Sequence, residues 1–258
     1  MLRLNTLIIA ILIQTLLLST FTNAEDYELH QAKGGNHKTL KINYYHQKKS
    51  WDTYASKIDI LISDLSQKLN RIFRAETQIP LDIILLKNET LQEKFKLPEW
   101  VKAFYHKEQI FISINETQPL ILDELRKTIK HELAHAYIYK LSNGKAPVWF
   151  DEGLAKLLED LNCKSDFKQM RNWLKRNKTL PARQINKSFT LMAHQQSKIA
   201  YVQSKLMIRY LLNISNIAAA RNYLLLLKTE QENAFKEAFA IDQLDFFRNF
   251  SHWVRHQK

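Results

Sequence analysis

The chain has 258 residues, 45% hydrophobic and 25% charged, the composition of a folded, helix-leaning protein rather than a disordered or fibrous one. Only 4 residues are glycine, against the roughly 7% of ordinary proteins, which excludes a phosphate-cradling GxxxxGKS/T loop, a GxGxxG dinucleotide turn and a glycine-rich β sandwich or propeller. The formal net charge of +12 suits an anionic surface or partner.

At the amino end, Arg3 precedes an apolar run from Leu7 to Leu18, interrupted by Gln14 and Thr15, and Thr22-Asn23-Ala24 ends it on a small residue. A charged start, an apolar core and a small-residue exit make a secretory signal, so residues 1–24 are expected to be removed and the mature chain to be secreted or periplasmic. The alternative is an uncleaved anchor, since the span from Leu4 to Phe21 just reaches the lower limit for crossing a bilayer. The single cysteine, Cys163, cannot form an internal disulfide and reads as a passive thiol near a helix end.

Along the mature chain, Leu40, Ile42 and Tyr44 alternate with polar residues between Lys38 and Tyr45, the period of a half-buried strand. From Trp51 to Phe73, apolar residues recur at three- and four-residue steps and predict a core-facing helix. Ile79 to Leu86 and Gln109 to Ile114 read as strands, joined by a polar connection that holds Pro98 and Trp100. After Pro119 the pattern is helical to the end, with helices at about 120–142, 147–160, 166–176, 199–213, 216–228, 231–239 and 242–256. Strands first and helices later define an α+β class: one domain, with a sheet lobe over 25–142 and a helical lobe over 143–258.

The chemistry is concentrated in His131-Glu132-Leu133-Ala134-His135. Residues four apart share a helical face, so His131 and His135 can offer two imidazoles to one metal ion, with Glu132 beside them. Leu125, Ile129, Leu133 and Ala136 form a core stripe roughly opposite. A catalytic zinc takes three protein ligands and keeps a fourth position for water. Ser142-Asn143-Gly144 reads as a helix stop with Gly144 left-handed, Pro147 as the first turn of the next helix, and Trp149-Phe150-Asp151-Glu152-Gly153-Leu154-Ala155 follows. The returning helix can carry Glu152 back beside the histidines, and the small Gly153 and Ala155 are expected to let it approach the first helix.

HELAH followed by a glutamate within WxxEGxA resembles the gluzincin zinc peptidases, most nearly the compact peptidase-MA-like proteins. The resemblance implies a zincin-like fold with a small mixed sheet and an active-site helix, Zn2+ held by His131, His135 and Glu152, Glu132 as general base, and a peptide or protein substrate. The segment Ala200-Tyr201-Val202-Gln203-Ser204 resembles the stretch where a tyrosine assists catalysis in these proteins, which implies Tyr201, with His194 as the alternative oxyanion donor. It further suggests the strand from Gln109 to Ile114 as the edge on which a peptide adds. Two positions depart from the family. No GxMxN segment precedes His131, so an endopeptidase is expected rather than an aminopeptidase. Four residues after Glu152, where the thermolysin-like branch has a histidine-orienting aspartate, stands Lys156, which leaves Asp123, Asp151, Glu159 and Asp160 as orienting candidates.

Eleven basic residues and one acidic residue, Asp166, lie between Cys163 and Arg209. Lys164, Lys168, Arg171, Lys175 and Lys178 are expected on one helical stripe, opposite Phe167, Met170 and Leu174. This is either a solvated face or a patch for an anionic envelope surface; nucleic acid does not suit an exported chain without a binding module. Two functions follow: an exported zinc-dependent metallopeptidase, or a catalytically inactive, zinc-stabilised envelope binding protein that uses the basic face. The sequence leaves the oligomeric state open.

Overall fold

The computed structural model describes residues 29–32, 35, 37–75, 78–117 and 121–257, so the proposed signal segment lies outside the described residues. Five strands form one sheet: β1 (His30–Ala32), β2 (Leu40–His46), β3 (Ile79–Lys87), β4 (Ala103–His106) and β5 (Gln109–Ile114), in the order β1-β2-β3-β5-β4. β2, β3 and β5 run parallel, and β1 and β4 are antiparallel to their neighbours. β3 is central and buried on both faces, with Leu81, Ile83 and Leu85 towards the main core and Ile84 and Leu86 towards a smaller cluster with Leu91 and Phe111. A continuous apolar run is what a central parallel strand requires.

The helix predicted over 51–73 is α1 (Asp52–Phe73), with Ile58, Ile62, Leu65 and Leu69 buried along one face. α2 (Asn88–Phe95) and β4 occupy what the sequence suggested to be only a polar connection. The expected edge strand, Gln109–Ile114, is instead an inner strand: β4 hydrogen-bonds to it and takes the edge. The reason is a two-residue hairpin at Lys107 and Glu108, both with positive φ (43° and 65°), a conformation usually assigned to Asn-Gly and therefore invisible in a glycine-poor sequence.

The remaining helices are α3 (Leu122–Ser142), α4 (Val148–Glu159), α5 (Lys164–Leu174), α6 (Ala182–Ile185), α7 (His194–Ile214), α8 (Ile217–Lys228), α9 (Ala234–Phe239) and α10 (Gln243–His256). One hydrophobic core runs from Leu40 of β2 to Val254 of α10. The architecture is α+β, a small sheet followed by a mainly helical part. α7 begins five residues earlier than its apolar period suggested, and α5 ends at Leu174, which leaves Lys178 beyond the helix. Among the described residues no helix is long and apolar enough to cross a membrane.

Candidate metal centre

α3 carries His131, Glu132 and His135, and its core stripe Leu125, Ile129, Leu133 and Ala136 is buried as expected. It stops where Asn143 (φ 54°) and Gly144 (φ 71°) turn left-handed, and the Gly144 N–H donates to the Tyr139 carbonyl at 3.1 Å. Pro147 caps α4 from just outside, its carbonyl accepting from the Phe150 and Asp151 N–H groups. Trp149 and Phe150 anchor the start of α4: both are fully buried, Trp149 stacking on Phe246 and Phe150 meeting Tyr223 edge-on. With those two rings fixed in the helical core, Asp151 and Glu152 face α3.

Gly153 does something other than expected. A Cβ there would stand 2.4 Å from the Ser204 carbonyl oxygen of α7, so the small residue admits α7, not α3. The close approach brings Tyr201, on α7, to the cleft above Glu152.

Three ligand atoms converge. His131 Nε2 and His135 Nε2 are 3.1 Å apart, and Glu152 Oε2 lies 3.5 Å from the first and 3.7 Å from the second. Zinc bonds of 2.0–2.2 Å in tetrahedral geometry separate ligand atoms by about 3.4 Å, so this triangle has the size that zinc needs. The outward nitrogen of His135 is occupied, Nδ1 meeting Asp151 Oδ1 at 2.7 Å, whereas His131 Nδ1 has Glu159 Oε2 at 3.1 Å, an ion-pair distance without hydrogen-bond geometry. A carboxylate at Nδ1 keeps the proton there and leaves Nε2 as a lone pair. Two lone pairs and the buried Glu152 oxygen, which has no hydrogen-bond partner, then face one point, an arrangement that calls for a cation. His131, His135 and Glu152 therefore fit a zinc ion on their own geometry.

Of the four orienting candidates, Asp151 and Glu159 reach the histidines, while Asp123 and Asp160 are solvent-exposed. Glu159 lies seven residues after Glu152, two helical turns along the same face, a spacing from which it could have been singled out. Lys156, which occupies the aspartate's place, binds Glu159 at 2.7 Å instead. Burial opposes the Glu159 charge, yet His131 and Lys156 hold its carboxyl down at about 2. Burial alone would lower His135, but in the metal-free site Asp151 and the neighbouring glutamates outweigh it and push the imidazole up to about 10, so a metal ion takes the Nε2 lone pair by displacing a proton. Glu132 is buried beside the histidines, and desolvation lifts its carboxyl above the ordinary range.

A cleft of about 900 Å³ opens over the centre, walled by Trp100, Ala103, Phe104 and Tyr105 on one side and by Tyr201 and Val202 on the other. The first wall comes from the stretch expected to be only a polar connection. Tyr201 is half-buried, edge-on to Phe189 with ring centroids 5.0 Å apart, and Lys156 Nζ sits 5.6 Å from its ring centre. Burial, then the charges of Glu152, Glu132 and Glu159, raise its hydroxyl pKa and keep it a proton donor. His194 also lines the cleft, but exposed at the first turn of α7, its ring 6.4 Å from that of Trp100. On the basic stripe, Lys164, Lys168, Lys175 and Lys178 are exposed, whereas Arg171 is turned inward to donate to the Gln257 carbonyl at 2.9 Å. Cys163 is buried at the start of α5.

A small sheet whose edge strand borders a cleft, with two histidines and a glutamate meeting on paired helices, defines the class of zinc-peptidase-like metal proteins. The Peptidase MA superfamily model matches residues 63–255, and the chain belongs to that superfamily. Among solved structures it is similar to a mutant two-domain M1 zinc metallopeptidase bound to L-tryptophan, at 15% identity and a TM-score of 0.43, over 88% of this chain and 51% of that one. The chain thus spans about half the length of that protein. No curated protein matches the sequence.

Proposed function

We propose that the chain is an exported zinc-dependent endopeptidase, with His131, His135 and Glu152 as the zinc ligands and Glu132 as the general base. The observation that carries the reading is the triangle of Nε2, Nε2 and Oε2 atoms beneath a cleft that Glu132 and Tyr201 also line. Bound zinc supplies Lewis acidity, lowering the pKa of a bound water towards neutrality and polarising the scissile carbonyl. Glu132 accepts the proton of the attacking water and passes it to the leaving amine; desolvation, which raises its pKa, improves the match to that task. Tyr201 donates a hydrogen bond to the developing oxyanion, a role favoured over His194 because the charges of Glu132 and Glu152 reach its hydroxyl.

The edge strand β4 offers its backbone to an extended substrate by strand addition, which moves the expected docking edge from Gln109–Ile114 to Ala103–His106. Export rests on the tripartite segment 1–24. The exposed lysines Lys164, Lys168, Lys175 and Lys178 are assigned to a solvated face.

The test is to count zinc in the purified chain and compare cleavage of an unbiased peptide library by wild type and Glu132→Gln. One zinc per chain in both, with cleavage falling by about 10²–10⁴ in the variant, is expected. Zinc in both with no difference in cleavage leaves the inactive binding protein as the reading, and zinc in neither removes the metal centre.

A further inference from the structure

Gln169 and Lys198 line the cleft over the metal centre, and both also line a second, smaller groove of about 310 Å³ between α5 and α7. The two depressions therefore adjoin each other. The floor of the smaller groove is apolar, made by Trp173 and the buried Ile199, and its rim carries Arg176 and Lys198 with the amides of Asn172 and Asn177. Among the described residues no carboxylate lines it. This contrasts with the larger cleft, which Glu132, Asp151, Glu152 and Glu159 line, with Glu159 held by Lys156.

Arg176 and Lys198 differ from the basic residues that the fold itself uses. Lys156 is held by Glu159, Lys205 by Asp166 at 2.6 Å, and Arg171 by the Gln257 carbonyl. Arg176 and Lys198 are solvent-exposed, and among the described residues their side chains form no ion pair. Lys198 stands three residues before Tyr201 on the same helix, a rise of about 4.5 Å. An extended peptide advances about 3.3 Å per residue, so a strand running along α7 from beside Tyr201 passes Lys198 within about one to two residues.

We propose that this groove is a substrate subsite for acidic side chains: Arg176 and Lys198 bind a glutamate or aspartate a few residues from the scissile bond. The inference rests on the peptidase reading and narrows its substrates to peptides with an acidic residue at that distance. Two exposed cations carry this much discrimination: each ion pair at such a site contributes modestly, and together they separate Glu from Gln by about five- to thirtyfold.

The test uses ten-residue fluorescent peptides, identical except for a pair of Glu, Gln or Lys residues walked outward from the bond on either side. Anisotropy is read on the Glu132→Gln protein, where turnover is suppressed, and kcat/KM on wild type. The Glu peptides are expected to bind and to be cut about five- to thirtyfold better than the Gln peptides at one distance only, with the advantage shrinking as salt rises from about 0.05 to 0.5 M. Arg176→Glu/Lys198→Glu is expected to invert the Glu-to-Lys ratio, whereas Lys164→Glu/Lys168→Glu, the same change of charge on the first turns of α5, leaves the ratio as it was.

Equal binding of Glu and Lys peptides, or an equal effect of the two double variants, overturns the subsite. So does a groove whose only charge-dependent ligand is a phosphatidylglycerol vesicle, bound by wild type and lost in Arg176→Glu/Lys198→Glu. Charge-selective binding without any cleavage by wild type preserves the subsite and defeats the peptidase reading; cleavage without charge selection does the reverse.

Discussion

Among the described residues, two regions that combine histidine, carboxylate and tyrosine differ in one respect: one of them leaves three ligand atoms converging with the spacing a metal ion needs. In the sheet, Asp59 of α1 accepts from His37 Nε2 at 2.9 Å and from the Tyr44 hydroxyl at 2.8 Å, both on the same oxygen. The donors and the acceptor are used on one another, and the cluster ties β2 and the segment before it to α1. On α3 and α4 the carboxylate of Asp151 takes the outer nitrogen of His135 and that of Glu159 stands at ion-pair distance from the outer nitrogen of His131, so that two Nε2 atoms and Glu152 Oε2 are left around a common centre. The tyrosines divide in the same way. Burial and a nearby carboxylate raise both, but Tyr44 donates to Asp59 whereas Tyr201 lines the cleft. Residue types alone do not make a metal site; what matters is which atoms remain after internal pairing.

The comparison can be broken most severely at a ligand. His135→Ala should abolish stoichiometric zinc binding and with it all hydrolysis, read by metal analysis and peptide cleavage, because two ligands no longer define a closed site. Next in size is Tyr201→Phe, expected to lower kcat by about 10²–10³ while zinc content and KM hold, if the hydroxyl acts on the oxyanion. A fall in zinc content instead would class Tyr201 with Tyr44 as a structural group. Glu159→Gln and Asp151→Asn should each weaken zinc affinity by about 10–100-fold in chelator competition, since the orienting carboxylate is lost and the ligand remains. The smallest effect belongs to the sheet: Asp59→Asn should cost about 1–2 kcal/mol in urea unfolding and leave zinc stoichiometry at the wild-type value. A change in zinc binding there would erase the distinction between the clusters.

Much of the centre was legible in the sequence because its determinants are local. The four-residue spacing of His131 and His135 is a helical property, Asn143-Gly144 and Pro147 mark the turn, and Trp149 and Phe150 are apolar enough to predict their burial. Glu159 was legible in principle by its period but stood level with Asp123 and Asp160, which the same arithmetic does not bury. β4 was hidden, since its hairpin turns through Lys107 and Glu108 without glycine or asparagine. The expected role of Gly153 failed for a different reason: a small residue says that something approaches, not which helix. Here the neighbour is the Ser204 backbone of α7.

The sequence by itself determined the helix carrying the histidine pair, its stop, and the returning helix with the third carboxylate, because hydrogen bonds and side-chain periods within one helical hairpin fix them. Only the tertiary structure decided which strand forms the edge, which carboxylates stand against the imidazoles, that α7 brings Tyr201 to the cleft, and that Arg176 and Lys198 lie on a groove adjoining it. Those relations join residues distant in the chain, and packing between elements, not the period within any one of them, sets the distances.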